Sequence, residues 1–410
     1  MVKVGFLEDE PIILAATGVK ISQTPFEEGS ILDLYKKCRK DRKNSRELVN
    51  SIMRNHGHMI LADFLPYAIT LEDLSRFAAI YLWQKVNSGN LVFGAGIEAS
   101  LRVIRPNRFC KILKTLGEEA FEVYQKAIKF GVKEQDARYV LPEGTLTRMI
   151  FSAPPRYLIK IAADLKKAPL KELQEIGKKI INIVKERFKL QIPEENLPCQ
   201  WSFWGRKKIK QGIWIRYQNS IYSLSLDMGI RGSLAMYAQL VRQRQILCNI
   251  EPLEGIVYKS RFVIPPNFSK SLKKEYKEIA KKAKAKQMEL IKKRDPNFVY
   301  FLLLGQEAES EIYGKGFQII ETSKARSEGV AQWEIRNTVG IPITRELAKY
   351  PFLKKEIGPR CWREGRCIEP QTFKTKKNIC KAFGLSKGKW QGSLEQLLQV
   401  LTEPYHTFRV

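Results

Sequence analysis

The sequence predicts an α+β chain in which one mixed unit, a sheet flanked by helices, occurs twice. Three observations lead there. Strand-type alternation and helix-type spacing interleave along the whole length. A polar stretch with two prolines, Leu190 to Gln200, divides the chain like a connector. Gly57 to Lys85 also lies over Arg216 to Arg244 without a gap, strand on strand and helix on helix, as an internal repeat would. The expected organisation is a first domain at 1–190, a linker at 191–200, a second domain at 201–360 and a basic C-terminal extension at 361–410.

Taken in order, Lys3 to Leu7 reads as a strand and Ile31 to about Asn55 as helical. Gly57-His58 leads into the apolar alternation of a strand, Met59 to Leu71, and Asp73 is placed to cap a helix running from Leu74 through Trp83. A further helix covers roughly Arg108 to Phe130, Leu141-Pro142 breaks the helical pattern beyond it, and helices resume from Pro155 to Phe188. Beyond the connector, Trp214 to Met228 alternates as a strand and Ser233 to Val241 reads as a helix. Ser269 to Arg294 is a basic helix with Leu272, Tyr276, Ile279, Ala280 and Ala283 on one face, and Ala325 to Leu347 is the last helical stretch.

Composition narrows the function. With 410 residues the chain exceeds one ordinary core, 44% hydrophobic residues suffice for two, and no apolar run approaches the roughly 20 residues of a membrane-spanning helix. Met1 to Gly5 runs straight into strand-like sequence without a secretory leader, so a cytoplasmic protein is expected. Seven cysteines, an odd number, argue against a disulfide framework. Cys361 and Cys367, with only His56, His58 and His406 in the chain, do not make a zinc site, and no metal is expected. The balance of 71 Lys+Arg against 43 Asp+Glu leaves +28, a charge that attracts nucleotides, folates or nucleic acid.

The arginines fall in ordered groups. The second half carries Gln239-Leu240-Val241-Arg242-Gln243-Arg244, then Asn249, then Arg261 to Pro266 (RFVIPP), and later Arg326 with Trp333-Glu334. The first half carries Gly57-His58, Ser75-Arg76, Glu98-x-Ser100-x-Arg102, Ala137 to Pro142 (ARYVLP) and Arg156. A guanidinium gives forked, charge-assisted hydrogen bonds to phosphate and carbonyl oxygen and keeps its charge, so such groups suit anion binding. Together these motifs resemble the flavin-dependent thymidylate synthases, whose signature runs Q-x-x-R-H-R-x-x-S-x-N-E-x-S-x-R-Y. The resemblance implies two diverged, fused copies of that family's fold, spanning residues 1 to about 360.

Each copy keeps what the other lacks. In the overlay, Trp83-Gln84-Lys85 stand where the second copy has Arg242-Gln243-Arg244, while Ile250 and Pro252 take the places of Glu98 and Ser100, and Tyr217 that of His58. Family sites are built between subunits, so one composite site is expected from both halves. The resemblance implies FAD held by Arg242, Gln243, Arg244, Asn249 and His58. It implies dUMP or a related pyrimidine nucleotide bound by Gln239, Glu98, Ser100, Arg102, Arg138 and Arg326, with Arg326 and Ser100 the catalytic pair. Methylenetetrahydrofolate would supply the one-carbon unit to C5 and NADPH the reducing equivalents. The family's tetramers of single-copy chains imply a homodimer, a pseudo-tetramer. Gln243 in place of the family's histidine, and an insertion carrying Gly94 and Gly96, depart from the pattern. They favour an alternative: a degenerate, non-catalytic chain that binds nucleic acid or a partner through its basic surface.

Overall fold

The computed structural model describes residues 3–7, 11–56, 68–87, 95–100, 106–153, 155–188, 202–218, 220–243, 246–329, 331–364 and 392–410. In the first half, β1 (Lys3–Leu7) is followed by α1 (Pro11–Gln23), α2 (Ile31–Lys40), α3 (Arg42–His56), β2 (Ala68–Ser75), α4 (Arg76–Asn87) and β3 (Ala95–Glu98). Then come α5 (Lys114–Lys129), α6 (Glu134–Ala137), β4 (Leu146–Ser152), α7 (Pro155–Lys167) and α8 (Lys171–Phe188). The strands pair antiparallel in the order β1-β2-β4-β3. Successive side chains of β4 serve two cores, as the period of a strand requires. Met149 and Phe151 join the central core, while Ile150 faces a smaller cluster with Ile13, Leu14 and Leu34. The helices α1 to α3 therefore cover one face of this sheet.

Two sequence expectations change here. The single helical stretch from Ile31 is two helices, because α2 stops at Asp41, whose carboxylate accepts from Asn44 N at 3.2 Å at the start of α3. Asp73 does not cap α4. It sits at φ 57° where β2 shifts register, and it pairs with Arg108 at 2.6 Å. Ser75 is the cap, its Oγ accepting from Ala78 N at 3.0 Å. Gly57, His58 and the predicted strand residues up to Tyr67 lie outside the described residues.

The second half runs β5 (Gly212–Arg216), β6 (Ser225–Ser233), α9 (Leu234–Leu240), β7 (Leu247–Ile250), α10 (Leu253–Lys259), β8 (Arg261–Ile264) and α11 (Lys270–Lys292). It continues with β9 (Glu307–Lys315), α12 (Phe317–Ser327), α13 (Trp333–Ile335), a π turn (Arg336–Gly340), α14 (Ile341–Leu347), α15 (Arg360–Arg363), α16 (Leu394–Leu401) and β10 (His406–Arg409). The predicted strand from Trp214 is a hairpin, β5 and β6, in an antiparallel sheet ordered β5-β6-β9-β7. The predicted last helix is interrupted, since α12 ends at Ser327 and Gln332 caps a new start by accepting from Ile335 N at 3.1 Å. The basic helix α11 forms as expected, capped by Ser269 and burying Leu272, Tyr276, Ile279, Ala280 and Ala283. Several of its lysines pair with carboxylates at the surface, among them Lys281 with Glu278 and Lys282 with Glu119.

The two halves repeat one hydrogen-bond scheme where they meet. Segment 139–144 lies antiparallel to 300–305: Gly144 N donates to Tyr300 O at 3.0 Å and Gly305 N to Tyr139 O at 2.8 Å. Glu143 N donates to Leu302 O at 2.7 Å and Leu304 N to Leu141 O at 2.8 Å. The helix starts match as well, with Arg76 N on Thr145 O at 2.9 Å and Leu234 N on Gln306 O at 3.0 Å. Ser233 caps α9 through Met236 N at 3.0 Å, as Ser75 caps α4. These bonds equate Ser75 with Ser233, and so set Gln84, rather than Trp83, against Arg242. The gapless overlay of the two stretches is off by one residue.

One hydrophobic core, from Ile69 to Phe408, runs through both halves. The described part of the C-terminal extension belongs to it. β10 pairs with β8, and the buried Arg336 donates to Leu401 O at 2.7 Å and pairs with Glu403 at 3.1 Å. Among the described residues no helix is long and apolar enough to cross a membrane.

Candidate functional site between the two halves

α4 is apolar almost throughout, and Phe77 to Trp83 are all buried. Its first residue, Arg76, is buried as well, and a buried guanidinium demands a counter-charge. Glu98, at the end of β3, supplies it at 3.0 Å. The second oxygen of Glu98 meets Arg242 of the other half at 2.5 Å, just past α9. Thr147 Oγ1 and Trp83 Nε1 each donate to the same carboxylate at 3.2 Å. An ion triad, Arg76–Glu98–Arg242, thus joins residues of both halves.

Its electrostatics follow from burial and charge. Burial alone pushes the Glu98 carboxyl up, but Arg76 and then Arg242 outweigh it and hold the group below its ordinary value. Arg76 is drawn down by burial, against the pull of Glu98. Glu143, also buried, is pushed up to about 8 by burial, with Arg76 opposing and Glu98 adding, so it stays protonated at neutral pH. Two guanidiniums against one carboxylate leave one positive charge in excess.

Next to this triad lies a second arginine group. Arg326, on the last turn of α12, donates through Nε to Gln243 Oε1 at 3.1 Å and through NH2 to Gln239 O at 3.4 Å. The π turn makes room for it at Gly340, where a Cβ would stand 2.1 Å from Arg326 O and 2.5 Å from Ser327 N. Arg242 Nε and Gln239 Nε2 are buried and find no acceptor among the described residues. A buried donor left unmade costs about 1–3 kcal/mol. The group therefore suits a ligand that brings negative charge and acceptor oxygens.

Other residues singled out in the sequence lie differently. Ser100 follows β3 and is half-buried, with its amide on Ser22 O at 3.3 Å. Arg138 is buried in the turn after α6, its Nε on Gln135 O at 3.1 Å, where its charge acts on Asp136 and Glu143. Asn249 is exposed on β7 opposite Glu311, while its neighbour Cys248 turns inward. Glu334 of the Trp-Glu motif accepts from Ser233 N at 2.6 Å, Ser233 Oγ at 2.5 Å and the Tyr139 hydroxyl, so it fastens α9 to the first half. His58, Arg102 and Arg244 lie outside the described residues, as do Gly94 and Cys367.

Sequence reasoning gave no role to Arg76, Trp83, Thr147 or Glu143. The signal for Arg76 was present: an arginine opening a helix as apolar as Phe77 to Trp83 must be paired inside the protein.

Residues 94–188 match the family model described as thymidylate synthase complementing protein. A flavin-dependent thymidylate synthase of Sulfurisphaera tokodaii is 31% identical over 116 residues, covering 26% of this chain and 45% of that protein. Another, of Saccharolobus solfataricus, is 31% identical over 111 residues, covering 25% of this chain and 43% of that protein. The chain thus spans a little under half the length of the curated relatives it matches. A solved UMP/dUMP methylase of Streptomyces cacaoi, bound with 5-Br dUMP, is 14% identical, covering 45% of this chain and 91% of that one at a TM-score of 0.26. Glu98, Ser100 and Arg138 fall inside the span that the family model matches, and Gln239, Arg242, Gln243 and Arg326 beyond it.

Proposed function

We propose that this chain is a flavin-dependent enzyme that methylates C5 of dUMP or a related pyrimidine nucleotide, with methylenetetrahydrofolate as one-carbon donor and NADPH as reductant. One observation carries the reading: a cationic group shared by both halves, in which Arg242 and Gln239, beside Arg326, keep buried donors that find no acceptor among the described residues. The 31% identity to flavin-dependent thymidylate synthases and the family match over residues 94–188 support it independently. FAD, when bound, supplies the hydride and carbon-transfer chemistry that no protein side chain provides. The donor set fits such a group, since it offers fixed positive charge and unmade hydrogen bonds.

In this reading Arg242 and Gln243, with Arg244, Asn249 and His58, hold the flavin. Gln239, Ser100, Arg102 and Arg138 orient the nucleotide, Glu98 leaves that set because Arg76, Thr147, Arg242 and Trp83 occupy both its oxygens, and Arg326 stabilises negative charge that develops on the pyrimidine. Removing such a preorganised donor costs about 2.7–4 kcal/mol of transition-state stabilisation in comparable sites. The two halves would descend from fused copies of a single-copy ancestor, a view that the shared strand order and the matched Ser75 and Ser233 caps support. The chain would then pair with a second copy, as a pseudo-tetramer.

The test is turnover of dUMP with FAD, methylenetetrahydrofolate and NADPH, in the parent and in Arg326→Ala and Ser100→Ala. Turnover that survives both changes intact would sink the reading. A second reading, a polyanion-binding protein, is favoured by a groove of about 330 Å³ where α5 meets α11, lined by Lys111, Lys114, Lys286 and Lys282, the last paired with Glu119 in the same lining. Single-stranded nucleic acid affinity that falls steeply with salt would support it, and absence of binding at low salt would end it.

A further inference from the structure

We propose that Glu98 is a positioning residue: the first half uses it to aim Arg242 of the second half at the flavin. This rests on the reading of Arg242 as a flavin contact. The geometry assigns the role as follows. Each oxygen of Glu98 has one guanidinium and one neutral donor, Arg76 and Thr147 on Oε1, Arg242 and Trp83 on Oε2. The Glu98 side chain is fully buried, while that of Arg242 is 29% exposed. The carboxylate therefore has no open side for substrate, and its single outlet is the arginine that reaches the surface. Arg242 uses one terminal nitrogen on Glu98, and its Nε, buried, has no acceptor among the described residues. One edge of the fork is pinned and the rest is left for a ligand.

Trp83 completes the holder. Its indole donates to Glu98, and its ring centroid lies 5.8 Å from the Arg242 guanidinium carbon. It packs so closely on β3 that a Cβ on Gly96 would stand 2.9 Å from the ring. The arrangement is one-sided. At the matching place in the opposite direction Gln84 stands for Arg242, and it donates to Cys248 O at 3.1 Å. The strand registers likewise set Ile250 against Glu98, through Ser310 and Met149.

The experiment is a double-mutant cycle read by FAD titration of the full-length chain, with Glu98→Gln, Arg242→Gln and both together. The expected result is a loss of affinity of roughly 10- to 100-fold for Glu98→Gln in the parent, as for a hydrogen bond to a charged group. In the Arg242→Gln background the same change should cost less than about twofold. A general loosening of the fold would weaken binding by the same factor in both backgrounds, and that result overturns the proposal. Glu98→Gln leaves Arg76 buried without its counter-charge, so Trp83→Phe serves as a milder variant. It removes one donor to Glu98 and keeps the packing, and a loss of about threefold is expected, again only when Arg242 is present. Unchanged affinity in Trp83→Phe and Glu98→Gln also overturns the proposal. A parent chain that takes up no FAD overturns the flavin reading of Arg242 itself, and this role falls with it.

Discussion

Tyr139 and Tyr300 cross the junction in opposite directions, and replacing each by Phe tests whether these bonds tie the halves together. Tyr300 donates to Glu172 at 2.9 Å, beside Ser75 N and Ser75 Oγ, both at 2.7 Å on the same carboxylate. Phe keeps the ring packing and removes one bond to a buried carboxylate, a loss of about 1.5–3 kcal/mol. Tyr139 donates to Glu334 and also accepts from Gln332 Nε2 at 2.6 Å, so its Phe variant strands a second buried group and should lose more. Burial pushes the Glu334 carboxyl up to about 7, with the Ser233 and Tyr139 bonds opposing. Without Tyr139 the ionised form loses support, and the cost of Tyr139→Phe should grow as pH rises from about 6 to about 8. Urea denaturation followed by circular dichroism at both pH values measures it. Variants within about 0.5 kcal/mol of the parent would show that these hydroxyls do not tie the halves together, and a Tyr139→Phe loss that does not change with pH would show that Tyr139 does not support an ionised Glu334.

Three further outcomes are expected. Glu143 has a folded value of about 8 against an ordinary 4.5, so it adds stability that is full below the ordinary value and lost as pH rises through about 8. Glu143→Gln should flatten the stability–pH curve over that window by a few kcal/mol, and urea midpoints at successive pH values would show it. Arg326→Ala should lower kcat roughly 100- to 1000-fold with the unfolding midpoint held, which steady-state kinetics beside a melting curve can separate. Gly340→Ala should lower stability by about 1–3 kcal/mol through the clash with the Arg326 carbonyl, and should lower turnover with it.

Much of the fold was legible because its helices carry their own signals. The buried stripe of α11 and the start of α9 at Ser233 follow from spacing and caps. Strands whose side chains are satisfied only in the tertiary structure were not legible. β9, with Glu307, Glu309 and Glu311, reads as a polar stretch, yet each carboxylate is paired: Glu307 with Arg261 at 2.9 Å, Glu309 with Arg231 at 3.3 Å and Glu311 with Lys207 at 3.0 Å. β10 gains its reason from β8, far away in the chain. Asp73 resembled a cap because Asp favours caps, but the bulge in β2 and the partner Arg108 claimed it. For the site, the motifs named Glu98, Arg242 and Arg326, and the structure joins the first two through a contact between halves. The holder of Glu98 escaped because Trp83 and Thr147 have no chemical signature until β3, β4 and α4 meet.

Titration of the purified chain with FAD, followed by absorbance between about 350 and 500 nm, shows whether the arginine group between the halves takes a flavin. Saturable uptake of one FAD per chain is expected, with an affinity that is weakened but still measurable in Arg242→Gln, because only one of the two matched places has a guanidinium aimed by a buried carboxylate. A chain that refuses FAD, or that binds it equally well without Arg242, would contradict that expectation.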